Sequence, residues 1–295
     1  MNILLCGARG FIGSHLRSAL EAAGHRVTGG VSAAWGAGTH DIVVDYARDT
    51  DPAIWLPRLQ GIEVVVNAVG VLRDSPRRPI AAVHTATPQA LFEACAQAGV
   101  PQVIHISALG IEYSTTRYAR TKLAAERHLG ELRAQGRLLS TILRPSIVFG
   151  KGGDSSALFL NLARLPVALL PGPVIDAQIQ PVAVTDLAEA VAALIGLPQP
   201  PAGPLPCVGP EPVLLGDFIA SLRKQLGHGP AHVVRLPDAL TTLSAQLGDW
   251  VPASPWSSEA VELLQQNNTA PPAEFEALIG HPGAHFSTLL KHTWH

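Results

Sequence analysis

Two residue patterns in this chain could do chemistry. The first is Tyr118 and Lys122 in "YARTK". A spacing of four puts both side chains on one face of a helix. A free phenol has a pKa near 10 and is a poor base at neutral pH, but a neighbouring ammonium favours its ionised form and brings proton transfer within reach. Alone, the pattern also fits an ordinary amphipathic surface helix. The second pattern is Gly7, Gly10 and Gly13 in "CGARGFIGSHL", directly behind the apolar run "MNILL". Glycines after a strand let the backbone turn tightly and approach a diphosphate, and the following helix offers free N–H groups and the positive end of its dipole. A glycine-rich turn without a ligand is the alternative. Its place at the head of an alternating chain favours the binding reading.

The type of dinucleotide turns on the end of the second predicted strand. An acidic residue there commonly holds a ribose 2′-hydroxyl. Here the end reads "GGVS", with Ser32 and no acid, and Arg9 stands inside the glycine loop. A guanidinium in that position suits a 2′-phosphate. NADP(H) is therefore favoured, with NAD(H) as the alternative.

Elements must exist to position these groups. β-branched runs occur at residues 2–7, 25–31, 41–46, 62–70, 101–110 and 139–150, with helical patterns between them, and residues 29–40 read as a glycine-rich loop. This alternation predicts an α/β fold, a doubly wound parallel sheet with helices on both faces. After Gly150 prolines thicken and strands become few. Helices are expected at 215–226, 238–248, 258–266 and 273–279, and Asp186 with Glu189 has the spacing of a capping box. The expected division is a dinucleotide-binding domain over 1–150 that returns around 178–200. A smaller, mostly helical lobe would take 151–177 and 201–295, with Trp250 and Trp256 packed in it.

Composition narrows the function class. The 295 residues are 47% hydrophobic and 15% charged, with net charge −2, so no basic field is available for nucleic acid. Three scattered cysteines, Cys6, Cys95 and Cys207, fit a reduced, cytoplasmic setting better than a disulfide framework. No segment has the length and apolarity of a membrane span or a signal sequence. His281 and His285 are separated by Pro282 and Gly283, which spoils a helical metal pair.

Taken with "GARGFIG", Asn67-Ala-Val-Gly70, "RPSIVFG" and "QPVAVTDLAEA", the Tyr-x-x-x-Lys pair resembles the extended or atypical, epimerase/dehydratase-like branch of the short-chain dehydrogenase/reductase superfamily. The resemblance covers most of the chain. It is especially similar to the subgroup containing the NADPH-binding accessory subunit of respiratory complex I. It implies that Gly7, Arg9, Gly10, Phe11, Ile12 and Gly13 line the diphosphate. Asp45 and Tyr46 would meet the adenine, and Asn67, Ala68 and Val69 the central phosphates and ribose. Lys122 would bond the nicotinamide ribose, Pro145 and Ile147 would border the nicotinamide, and Tyr118 would exchange the proton. Dimerisation through helices flanking the sheet would follow by the same analogy.

The sequence departs from that pattern at one catalytic position. The family has a Ser or Thr second in a pair after the fifth strand, whereas this chain reads "HISALG", with Ser107 first and Ala108 second. Alanine cannot donate a hydrogen bond, and losing such a donor costs about 3 kcal/mol in comparable catalytic settings. Ser107, Ser114, Thr115 or Thr116 would have to serve instead. Two readings follow: an NAD(P)-dependent oxidoreductase or epimerase acting on a small molecule, or a cofactor-binding accessory protein with little turnover and no substrate.

Overall fold

The computed structural model describes residues 1–33, 36–237, 262 and 268–294. The expected helices at 238–248 and most of 258–266 lie outside the described residues, as do Trp250 and Trp256.

In chain order the strands and helices are β1 (Asn2–Cys6), α1 (Phe11–Ala22), β2 (Arg26–Val31), β3 (Asp41–Val43), α2 (Pro52–Trp55), β4 (Val64–Asn67), α3 (Thr87–Ala98), β5 (Gln102–Ile106), α4 (Arg117–Ala134) and β6 (Leu139–Pro145). They continue with β7 (Val148–Phe149), α5 (Asp154–Arg164), β8 (Val167–Pro171), α6 (Gly172–Asp176), β9 (Gln178–Ile179), β10 (Val182–Ala183), α7 (Val184–Leu194), β11 (Leu205–Cys207), β12 (Val213–Leu214), α8 (Leu215–Gln225), β13 (His232–Leu236), α9 (Ala273–Ile279) and α10 (Leu289–Thr293). Among the described residues no helix is long and apolar enough to cross a membrane.

The main sheet has seven strands in the order β11-β6-β5-β4-β1-β2-β3, parallel from β3 to β6. The chain leaves β1 first to one side and then to the other, so the strand order reverses between β1 and β4. In a doubly wound sheet that reversal opens a crevice at the carboxyl ends of the strands. Ile3, Leu4, Leu5 and Cys6 are all fully buried, as are Val65 and Val66. Such continuous apolar runs, rather than alternating ones, are what a sheet covered on both faces demands. Trp55, Phe92, Val103 and Leu129 pack on one side of it with Leu4, Cys6 and Val65.

The chain divides into two compact units: residues 1–108, 117–144 and 187–205 form one, and residues 109–116, 145–186 and 206–295 the other. The first carries the glycine loop, α4 and most of the sheet. The second is built on Phe149, Phe159, Phe218 and Leu222, with three two-stranded pairings, β7–β10, β9–β12 and β8–β13. The proline-rich run 163–175 contributes β8 and part of α6. Asp186 does not cap α7, which begins two residues earlier. Its carboxylate instead accepts from the Ala284 N–H at 2.7 Å. The 29–40 loop is also shorter than expected, because Gly29, Gly30 and Val31 belong to β2.

Candidate active site

The glycine loop runs from the end of β1 to the first turn of α1. Gly7 sits at φ +80°, a backbone that side chains rarely adopt, and a Cβ on it would press on the Ala68 carbonyl at 3.1 Å. Gly13 has no room at all: a Cβ there would stand 2.0 Å from the Gly7 carbonyl oxygen. The first glycine therefore makes the turn, and the third lets α1 close on it.

Tyr46 fastens the loop from behind. Its hydroxyl accepts from the Gly7 N–H at 3.0 Å and donates to the Gly30 carbonyl at 2.8 Å, joining the ends of β1 and β2.

At the strand ends lies a half-open cavity of about 330 Å³. Gly7, Arg9 and Gly10 line it from the loop. Ser32, Asp45 and Tyr46 line it from the far side, and Ala68, Val69 and Gly70 from the end of β4. Arg77 and Arg78 also line it, beside apolar residues such as Val31, Val43 and Val83. The two arginines were not singled out in the sequence, although two adjacent cations in the loop after β4 are a readable signal. Three guanidiniums against one carboxylate give the lining an excess of positive charge suited to a phosphate-rich ligand. Arg9 does not stand alone. Its Nη2 pairs with Asp41 at 3.0 Å, and Asp41 also holds Arg17 at 2.7 Å. Burial works to raise the Asp41 carboxyl, but the Gly38 N–H and the two guanidiniums outweigh it and hold it below the ordinary range.

Phe11, Ile12, Gly13 and Asn67 are not among the lining residues. Asn67 is buried and turned inward, its amide bonded to His105 Nδ1 at 3.2 Å and its carbonyl accepting from the Val69 N–H. It shapes the lining without facing it. Pro145 and Ile147 belong to the second unit, where their carbonyls accept from Leu109 and Val182 N–H.

Lys122 connects the cavity to the second pattern. Buried on α4, its Nζ donates to the Ile106 carbonyl at 3.1 Å and lies 3.5 Å from where a Gly70 Cβ would stand. Gly70 is a lining residue, so the ammonium stands against the cavity wall. Burial pulls Lys122 down to about 8, with Glu126 opposing the shift. Glu126 is itself gripped by Arg144 through two bonds, at 3.1 and 2.6 Å.

Tyr118, one turn earlier on α4, corrects an expectation. Its phenol is pushed up to about 12 by burial, not drawn down by the ammonium. In the protein alone, desolvation of the phenolate wins. At neutral pH the Tyr118 phenol therefore keeps its proton. Its ring meets His84 edge to face, with centroids 5.2 Å apart.

Ser107 follows β5 and is buried, with no partner for its hydroxyl among the described residues. A buried hydroxyl without a partner is uncommon, and among the described residues Thr141 Oγ1 shares that state. Ser114 and Thr116 bond each other at 3.0 Å in the second unit, and Thr115 bonds Glu262.

A parallel sheet with its order reversing beside a glycine loop defines the dinucleotide-binding class of α/β proteins. The NAD dependent epimerase/dehydratase family model matches residues 3–202, and the chain belongs to that family. Solved structures share the whole fold. An NADPH-dependent quinone oxidoreductase of Escherichia coli, complexed with NADPH, is 20% identical, with TM-score 0.74 and coverage of 99% of this chain and 100% of that one. A UDP-glucuronic acid 4-epimerase of Bacillus cereus, in complex with UDP-glucuronic acid and NAD, is 20% identical, with TM-score 0.69 and coverage of 99% and 97%. A Thermus thermophilus UDP-glucose 4-epimerase bound to NAD is 19% identical, with TM-score 0.71 and coverage of 99% and 98%.

Proposed function

We propose that the chain is a nicotinamide-dependent oxidoreductase that reduces a small carbonyl compound, with NADP(H) preferred over NAD(H). One observation carries this reading. The phosphate-suited cavity of the glycine loop is bounded at Gly70, and Lys122 Nζ lies against that residue on the helix that bears Tyr118.

The residues present fit such a cofactor. Gly7 and Gly10 leave the backbone open to a diphosphate. Arg9, Arg77 and Arg78 supply charge for phosphate, and Ser32 supplies a hydroxyl on the cavity wall. Lys122 would hold the nicotinamide ribose. When bound, the nicotinamide supplies or accepts hydride. Tyr118 keeps its proton at neutral pH and would deliver it to the substrate oxygen. The Ser107 hydroxyl, without a partner among the described residues, would donate to that same oxygen in place of a side chain at Ala108.

The accessory reading rests on Ala108 and on the similarity to the accessory-subunit subgroup. Cofactor oxidation against a panel of carbonyl compounds and nucleotide sugars separates the two, alongside thermal shift with NADPH and NADH. A shift with turnover that Tyr118→Phe abolishes supports the reductase. A shift without turnover on any compound supports the accessory protein, and no shift with either coenzyme overturns both.

A further inference from the structure

We propose that His84 is a positioning residue for the Tyr118–Lys122 pair, a two-ended tie holding helix α4 against the Gly70–Val71 edge of the cavity. This rests on the reductase reading for its purpose, but not for its geometry.

His84 lies in a single π-helical turn, Ala82–Ala86, that leads into α3. Such single turns widen a helix by one residue and recur at functional sites. The imidazole is 1% exposed. Its Nε2 lies 2.9 Å from the Val71 backbone nitrogen and its Nδ1 3.2 Å from Thr121 Oγ1. A backbone N–H can only donate, so Nε2 must offer its lone pair. In a neutral ring the proton then sits on Nδ1 and points at Thr121. The Thr121 hydroxyl accepts it and passes its own proton to the Arg117 or Tyr118 carbonyl, both 2.9 Å away. Donors and acceptors alternate without conflict from the cavity edge to the first turn of α4.

The neighbouring contacts point the same way. The His84 ring supports the Tyr118 ring edge to face, and Thr85 Oγ1 donates to the Thr121 carbonyl at 2.9 Å. A Gly70 Cβ would stand 3.5 Å from Lys122 Nζ and 3.7 Å from His84 Nε2, so glycine leaves room for both. A second proton on the ring would set an N–H against the Val71 N–H. Burial, Lys122 and His105 all oppose that proton, and they press His84 down to about 2.

The spectra and exchange measurements use the full chain without nucleotide, and NADPH affinity is measured separately. The imidazole ¹H–¹⁵N spectrum is expected to show His84 neutral, with its proton on Nδ1, unchanged between pH 5 and 9. His84→Phe keeps the ring edge beside Tyr118 and removes both hydrogen bonds. Its Val71 amide is expected to exchange with solvent at least tenfold faster, while Val65 and Ile104 keep their protection. NADPH affinity should fall about tenfold, and His84→Gln, which can accept and donate at similar reach, should restore most of both losses. A proton on Nε2, titration within that pH range, or unchanged Val71 exchange in His84→Phe would overturn the tie. If His84→Phe loses protection throughout, Thr121→Val removes the Nδ1 acceptor, and with it the hydroxyl's bond to the Arg117 or Tyr118 carbonyl, and leaves the Nε2 bond to Val71 in place. Faster exchange of the Nδ1 proton then supports the proposal, and unchanged exchange overturns it. Failure of the wild-type protein to bind NADPH would overturn the reductase reading and leave the tautomer and exchange results to stand by themselves.

Discussion

Replacing Lys122 with methionine should make the nucleotide-free protein more stable at neutral pH while weakening its grip on the nucleotide. Lys122 is 4% exposed, and burial lowers it from 10.5 to about 8. Below pH 8 the folded protein carries a charge it would rather not bury, whereas the unfolded chain carries it freely. Each pKa unit corresponds to 1.36 kcal/mol, so the penalty is about 3 kcal/mol at pH 7. Because the folded pKa is depressed, the unfolded chain binds more protons between about pH 8 and 10.5, and wild-type stability gains an upward slope there. Methionine removes the penalty and the slope together. It also removes the bond to the Ile106 carbonyl, which costs about 1 kcal/mol and offsets part of the gain. Comparing the two proteins at pH 7 and at pH 10 cancels that loss and the change in packing. The shared effects of Cys6 and Tyr118 cancel as well. In urea melts Lys122→Met should lead by about 1–2 kcal/mol at pH 7, and the difference between the proteins should shift by about 2 kcal/mol towards wild type by pH 10. A difference that stays constant with pH would refute the claim that Lys122 is held against its charge. Such a cost is understandable where the group is kept for a ligand and not for the fold.

Gly13→Ala should lose about 3 kcal/mol in a urea melt and show no thermal shift with NADPH, because its Cβ would collide with the Gly7 carbonyl; wild-type stability would refute the close packing. Tyr46→Phe should lose about 1 kcal/mol, at the low end for a hydrogen-bonded hydroxyl because the Gly7 N–H keeps its bond to the Gly30 carbonyl at 3.0 Å. NADPH affinity should fall with it, and calorimetry would register an unchanged affinity if the hydroxyl did not order the loop. Cys6, Cys95 and Cys207 are all buried, and burial pushes Cys6 up to about 12. Intact-mass analysis after iodoacetamide at pH 8 should find the native protein unmodified and the urea-unfolded chain alkylated three times, since all three are shielded by burial and burial also keeps Cys6 and Cys95 as neutral thiols.

The sheet was legible because its signal is local. Short apolar runs between helical patterns leave few alternatives to a parallel sheet, and Gly7 and Gly13 mark a turn that only glycine tolerates. The site was legible in part. Arg9, Ser32, Asp45 and Tyr46 do line the cavity, but Asp41, which pairs with Arg9, lies far off in sequence and stood outside any motif. The same limit hid the job of the Tyr46 hydroxyl, which depends on two strand ends meeting. Tyr118 shows a different gap. The motif placed an ammonium one turn away, but spacing says nothing of desolvation, and in the folded chain desolvation decides the phenol's state. His84 carried no signal of its own, because a histidine between Val83 and Thr85 takes its meaning from Val71 and Thr121 across the fold.

On the proposed function, the cavity behind the glycine loop takes a nicotinamide dinucleotide with its phosphates among Arg9, Arg77 and Arg78. Isothermal titration of NADPH and NADH into the wild-type chain tests it most directly. One site per chain is expected, with NADPH bound at least tenfold more tightly than NADH. Absence of heat with both coenzymes would contradict the binding claim, and equal affinity would contradict the role given to the arginines.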